Sequence, residues 1–290
     1  MQLGRLGVWQ FTEAMTAAEA AAFAGRVEGW GYGALWIPEA MGRDALTHAA
    51  WLLANTRRLV IATGIANIYA RDARAAHCAQ NTLAEQSGGR FLLGLGVSHA
   101  PLVEGLRGHA YRPPVATMKA YLEAMKTAAP YSSVPPGETP PTVIAALGPK
   151  MLELAKTHSN GAHPYLVTPE HTAQARNILG AGPLLCVEQK ILRESDPARA
   201  RAVARETIGF YLSLPNYRNN LMRLGFSAAE LDEKSDRLTD ALVAWGDVKA
   251  IRSRIDAHFA AGASHVCIQA IPPGGGQLPD EELLAALAPG

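Results

Sequence analysis

Cysteine is scarce in this chain: only three occur in 290 residues, and Cys78, Cys186 and Cys267 stand far apart, in or beside apolar segments. Neither a disulfide framework nor a zinc-ligand spacing can be assembled from them, so they read as buried thiols in a reducing compartment. Charge of one sign is lacking too. The 27 Lys and Arg are balanced by 26 Asp and Glu, which gives no reason to expect nucleic acid or an anionic membrane as partner and leaves a small molecule as the expected ligand. No apolar run is long enough to span a bilayer, and Met1 is followed almost at once by the apolar run Leu6–Gln10 without a charged n-region or a long h-region. The expectation is a soluble, cytoplasmic protein. His48, His77, His158, His171 and His258 fall on expected helices or their ends without ligand spacing, so no metal site is expected.

What is present is alternation. Strands are expected at Leu6–Gln10, Ala34–Ile37, Leu59–Gly64, Phe91–Gly94, Thr142–Ala145, Gly161–Tyr165, Leu184–Val187 and His265–Ala270, with helical patterns after each of the first seven. Helix stop signals such as Gly29, Gly31 and Gly262 stand just before strands. The alternation breaks twice, at the Pro-rich connector 130–141 and in a helical excursion over about 197–245. Both are readable as insertions on one (β/α)8 TIM barrel filling residues 1–290.

Two glycine-marked strands carry most of the functional information: Arg58 to Asn67, with Gly64, and Gly89 to His99, with Gly94 and Gly96. Each is an apolar run without polar alternation, as expected of a parallel strand buried on both faces, and the helical stretch Ala73–Ser87 lies between them. The Gly94-Leu95-Gly96 turn is not a dinucleotide fingerprint. It follows a fourth strand instead of a first, leads into Ser98-His99-Ala100-Pro101 instead of a helix, and lacks the third glycine. Small residues at strand exits instead suit close approach of backbone to a flat ligand at the carboxyl face of a barrel.

Four segments together resemble the luciferase-like monooxygenase superfamily, and within it the actinobacterial oxidoreductases that use the deazaflavin coenzyme F420. They are Ala34 to Ala40, Ala62 to Asp72, Ser87 to His99 and Ala145 to Met151. The resemblance covers nearly the whole chain and implies a hydride transfer between coenzyme F420 and a small organic substrate, and it admits a homodimer. FMN is the alternative cofactor, since both bind the same barrel face in such proteins; a barrel that binds without catalysing is the alternative from another class.

The resemblance places the tricyclic ring across the strand exits. Gly64-Ile65 matches a position where relatives carry a non-prolyl cis peptide, and Gly96, Val97 and Ser98 match positions along the ring edge. The stretch Ala146-Leu147-Gly148-Pro149-Lys150 opens a helix with Pro in its first turn, so its free amides and dipole suit the coenzyme phosphate. His163 and Tyr165, at the exit of the sixth strand, are candidates for the same end of the cofactor. For proton transfer, Ala40 stands where some deazaflavin enzymes have a histidine. His99, an imidazole at the fourth strand exit, is the replacement candidate, with Glu39 second. Glu39 could equally cap the next helix or pair with Arg43 or Arg71. The segment Tyr211 to Asn220 either closes over substrate or packs the insertion on the barrel.

Overall fold

The computed structural model describes residues 1–289. Ten strands form in chain order: β1 (Leu6–Trp9), β2 (Ala34–Ile37), β3 (Val60–Thr63), β4 (Ala66–Asn67), β5 (Phe91–Gly96), β6 (Thr142–Ile144), β7 (Gly161–Ala162), β8 (Leu184–Leu192), β9 (Val243–Trp245) and β10 (His265–Ile271). Hydrogen bonding runs β1-β2-β3-β5-β6-β7-β8-β10, and β10 pairs back onto β1. All pairings are parallel, which closes a (β/α)8 barrel. The short β4 continues β3 beyond a bulge and pairs with β5, and β9 lies on the carboxyl end of β8.

Local chemistry fixes the helix starts. Thr16 and Glu19 form a capping box on Ala17–Gly29, and Asp44, Asp72, Thr168 and Asp247 each accept a first-turn N–H. The barrel interior holds Trp9, Trp36, Ala62, Leu92, Val143, Cys186 and Cys267, while a larger apolar layer lies between strands and helices. Helices Pro197–Leu212, Pro215–Arg223, Ala228–Glu233 and Asp236–Leu242 build a further apolar cluster with Leu166, Leu192 and Ile271. That cluster seats the late excursion on the carboxyl ends of β8 and β10. The connector 130–141 forms no helix or strand.

Three strands differ from expectation. β8 runs on past Val187 to Leu192 because Glu188 and Lys190 turn inward and pair with each other while Gln189 turns outward to His258. The excursion expected to be helical through Trp245 ends instead in β9, whose residues pair with Lys190–Leu192. β7 stops at Ala162, so His163 and Tyr165 lie beyond it. Trp51 is exposed and donates its Nε1–H to Ala17 O at 2.8 Å. Cys186 and Cys267 are buried thiols, whereas Cys78 is partly exposed.

Candidate active site

The bulge between β3 and β4 is held by hydrogen bonds from backbone and side chains. Thr63 Oγ1 donates to Gly94 O at 2.7 Å and accepts from Gly94 N–H at 2.8 Å. Gly64 N–H donates to Ile37 O at 2.8 Å, and Glu39 N–H donates to Ile65 O at 3.0 Å. The Gly64–Ile65 peptide is cis. Its glycine is required by crowding: a Cβ there would lie 2.6 Å from Trp9 Nε1 and 2.9 Å from His163 Nε2. A Cβ on Gly96 would fall 2.5 Å from Ile65 Cγ1, so Gly96 has no side chain because the bulge needs the room. Trp9 Nε1–H donates to Gly64 O at 3.0 Å.

Beneath the bulge lie two neutral histidines. His163 is buried, stacks on Trp36 with ring centroids 4.4 Å apart, and donates Nδ1–H to Cys186 O at 2.8 Å. Among the described residues its buried Nε2 has no partner. His265 donates Nδ1–H to Gly4 O at 2.9 Å and accepts from Trp36 Nε1–H at 3.0 Å. Burial pulls both down to about 4. His163 is therefore part of the barrel interior and not of its rim.

Ser98 follows β5 with φ of 55°, a left-handed conformation uncommon for a residue with a side chain. His99 carries on into a π-helical turn, Pro101–Leu106, its carbonyl accepting from Leu102 and Val103 N–H at 3.0 and 2.9 Å. The His99 ring is 5.8 Å from that of Tyr217 in the insertion. Burial lowers its affinity for a proton, opposed by a hydrogen bond to the Asn216 side chain.

Past β6 the helix Pro149–His158 begins at Gly148, which offers no side-chain cap. A Cβ at Gly148 would lie 3.3 Å from Arg223 Nη2, a guanidinium from the insertion that sequence reading missed. Arg223 also reaches Asn220 Oδ1 at 3.3 Å. His171 Nε2–H donates to Leu147 O at 2.8 Å, and its buried Nδ1 has no partner. Ala146 is buried and Leu147 half-buried, with Pro149 and Lys150 exposed. First-turn amides, Arg223 and the chain's local dipole thus converge where an anion is stabilised.

Glu39 is enclosed. Its carboxylate accepts from Arg71, through Nη1 at 3.0 Å and through Nη2, and from the N–H of Asn67 at 2.7 Å and Ala45 at 3.4 Å. Arg71 extends to Asp44 Oδ2 at 2.7 Å. Arg43 does not join this pair; it donates to the carbonyls of Thr12 and Met15. The geometry makes Glu39 a clamp between the β2 exit and the bulge.

The least anticipated group lies on β8 and β10. Lys190 and Gln269 are in register. The Lys190 ammonium donates to Tyr165 Oη at 2.6 Å, Gln269 Oε1 at 2.8 Å and Glu188 Oε1 at 3.2 Å. Tyr165 and Tyr211 hydroxyls meet at 2.8 Å. Lys190, Gln269 and Tyr211 line a cavity of ≈ 580 Å³ together with the polar Gln10, Glu13, Glu206, Thr207 and Gln277 and the apolar Phe11, Val203 and Leu278. Trp9 joins this wall to the bulge, its ring 4.9 Å from Tyr165. A smaller cavity of ≈ 330 Å³ lies beside it, lined by Glu39, Arg43 and Leu106.

Among the described residues no helix is long and apolar enough to cross a membrane. A family model described as luciferase-like monooxygenase matches residues 1–265. A Mycobacterium tuberculosis protein named as a coenzyme F420-dependent oxidoreductase is 26% identical over 93% of this chain and 95% of its own length. Among solved structures, an F420-dependent secondary alcohol dehydrogenase in complex with an F420-acetone adduct superposes with a TM-score of 0.73 at 14% identity, over 92% of this chain and 93% of the other. The FMN complex of the oxygenating constituent of 3,6-diketocamphane monooxygenase from Pseudomonas putida gives 0.66 at 12% identity, over 91% of each chain.

Proposed function

The chain is an enzyme that belongs to the luciferase-like monooxygenase family, and from that premise we propose that it transfers a hydride between the deazaflavin coenzyme F420 and a small organic substrate. The observation that carries this reading is the paired architecture at the strand exits: a backbone bulge at Gly64-Ile65 and, two strands further round the barrel, an uncapped helix start beside the Arg223 guanidinium. The first suits a flat ring and the second its phosphate. The Mycobacterium tuberculosis relative supports the deazaflavin; FMN is the alternative, which the Pseudomonas putida complex supports.

When bound, the deazaflavin supplies the hydride-carrying carbon. Gly64 and Ile65 back the ring, while Gly96, Val97 and Ser98 present backbone groups and a hydroxyl along its edge. Ala146, Leu147, Gly148, Pro149 and Lys150 form the phosphate end, with Arg223 added as a cation. Glu39 and Arg71 keep the bulge in place. The cavity bounded by Lys190, Gln269 and Tyr211 receives the substrate. Titration of the purified protein with coenzyme F420 and with FMN tests this reading. Tighter binding of the deazaflavin is the expected result. Preference for FMN would overturn the cofactor, and binding of neither would favour a barrel that only binds.

A further inference from the structure

Lysine is rarely buried without an anion, and Lys190 is only 1% exposed, with its charge offset by Glu188 two residues earlier on the same inward face of β8. Glu188 Oε2 is held by Leu166 N–H at 3.0 Å, so the carboxylate is fixed and the ammonium stays over it. From there a continuous line of hydrogen bonds leads outward. Lys190 Nζ reaches Tyr165 Oη at 2.6 Å, and Tyr165 Oη reaches Tyr211 Oη at 2.8 Å. Tyr211 lines the cavity, and the ammonium lies 4.0 Å from the centre of the Tyr165 ring. This line ends where a substrate would sit.

Resting on the hydride-transfer reading above, we propose that Tyr211 is the proton donor, resupplied through Tyr165 from Lys190, and that the substrate is an uncharged carbonyl compound. As the carbonyl carbon gains a hydride from the reduced deazaflavin, its C=O π bond breaks and the oxygen takes the proton of Tyr211 Oη. Tyr211 takes the proton of Tyr165 Oη, and Tyr165 takes one from Lys190 Nζ. The amine is reprotonated from water, so one hydride and one proton convert carbonyl to alcohol. In the oxidising direction the same atoms carry the proton inward.

That the substrate is uncharged follows from the charge and shape of the cavity. Among the described residues Lys190 is the only cation lining the cavity and Glu188 already neutralises it, while Glu13 and Glu206 also line it. Within this cavity, among the described residues, an anionic substrate would meet no positive charge beyond Lys190; Arg43 and Arg107 line the adjoining one. Phe11, Val203, Ile271 and Leu278 supply an apolar wall for a hydrocarbon body, and the volume is that of a small-molecule site. Burial raises Tyr211 to about 12 and lowers Lys190 from the ordinary lysine value, which keeps the phenol protonated and the ammonium ready to give. An alkoxide is the stronger base and still takes the proton.

The test uses the F420-loaded protein with cyclohexanone and cyclopentanone as probes and with pyruvate as an anionic counterpart. Wild type is expected to oxidise the reduced deazaflavin with a neutral probe and not with pyruvate. Tyr211→Phe and Tyr165→Phe, which keep both rings and the Lys190–Glu188 pair, should each lower single-turnover rates by roughly 10²–10⁴-fold. Cofactor affinity and KM should move little, whereas a merely structural role would weaken both. Lys190→Met should behave likewise, and if it fails to fold the two Phe variants decide. Rates within a few-fold of wild type in both Phe variants would overturn the relay, and turnover of pyruvate alone, or of no probe by protein with cofactor bound, would overturn the substrate class. A protein that binds no deazaflavin fails earlier, in the titration, and overturns the hydride reading itself.

Discussion

Acid should loosen the barrel from beneath the site, because His163 and His265 have no way to hold a proton there. His265 uses one nitrogen as donor to Gly4 O and the other as acceptor from Trp36, so an imidazolium would set two donors face to face. His163 is fixed by Cys186 O, and its second nitrogen is sealed in without a partner. Each falls from 6.5 to about 4, with burial the largest cause. A folded value below the unfolded one means the unfolded chain takes protons first. The stability these sites contribute is therefore complete above pH 6.5 and is lost as pH falls from there towards about 4. Each site gives a slope of about 1.4 kcal/mol per pH unit, so the two together remove up to about 4 kcal/mol by about pH 5. Against a total of about 5–15 kcal/mol that is a large share. Urea unfolding followed by tryptophan fluorescence at neutral pH and at about pH 5 measures it. His163→Phe keeps a ring on Trp36 and leaves Cys186 O unpaired, so it should be less stable at neutral pH by about 1–3 kcal/mol. Its further loss on acidification should be smaller than that of wild type by about 2 kcal/mol. Equal acid losses in the two proteins would refute the reasoning.

Gly148→Asp places a carboxylate beside Arg223 and the helix start. It should weaken coenzyme F420 by about tenfold or more while leaving a truncated deazaflavin without the phosphate nearly unaffected; equal phosphate dependence in variant and wild type, read by fluorescence titration, would remove the anion site. Glu39→Gln breaks a largely buried pair with Arg71 and should cost about 2–4 kcal/mol in denaturant unfolding, with single-turnover rates within about tenfold once cofactor is bound. A hundredfold loss of rate in a protein of normal stability would restore Glu39 as a catalytic residue. His99→Ala should slow turnover by less than about tenfold, since burial keeps this imidazole neutral at pH 7 and a neutral ring is a poor proton donor; stopped-flow loss of 10²-fold or more would return that role to it.

The fold was legible wherever burial was uniform. β3 and β5 are uninterrupted apolar runs, and the glycines at 64, 94 and 96 mark real close approaches. The helix Ala73–Ser87 lies where its pattern put it. Reading failed where burial came without apolarity. Glu188-Gln189-Lys190 looks like the end of a strand, and only the return of Ile191-Leu192 and the in-out-in alternation hinted that β8 continues. Arg223 could not have been found by motif at all, because it meets Gly148 across 75 residues of chain through the packing of an insertion. Tyr211 was visible as one of an aromatic group, but its meaning depends on the register of Lys190 with Gln269.

That asymmetry reflects how the two sides of the mouth are made. On the β3 and β5 side the contacts are backbone atoms and the absence of side chains, which many sequences can supply, consistent with a shared fold at 14% and 12% identity to structures holding different cofactors. On the β8 and β10 side they are particular side chains, Glu188, Lys190 and Gln269, joined through Tyr165 to the insertion's Tyr211 by hydrogen bonds of 2.6 to 3.2 Å. Trp9 belongs to both, donating to Gly64 O while its ring lies against Tyr165. A shift of the bulge therefore moves the indole, and the indole moves the tyrosine at the centre of the proposed relay. On the proposed reading, cofactor seating and proton delivery would thus be linked through Trp9, without any residue having to touch both cofactor and substrate.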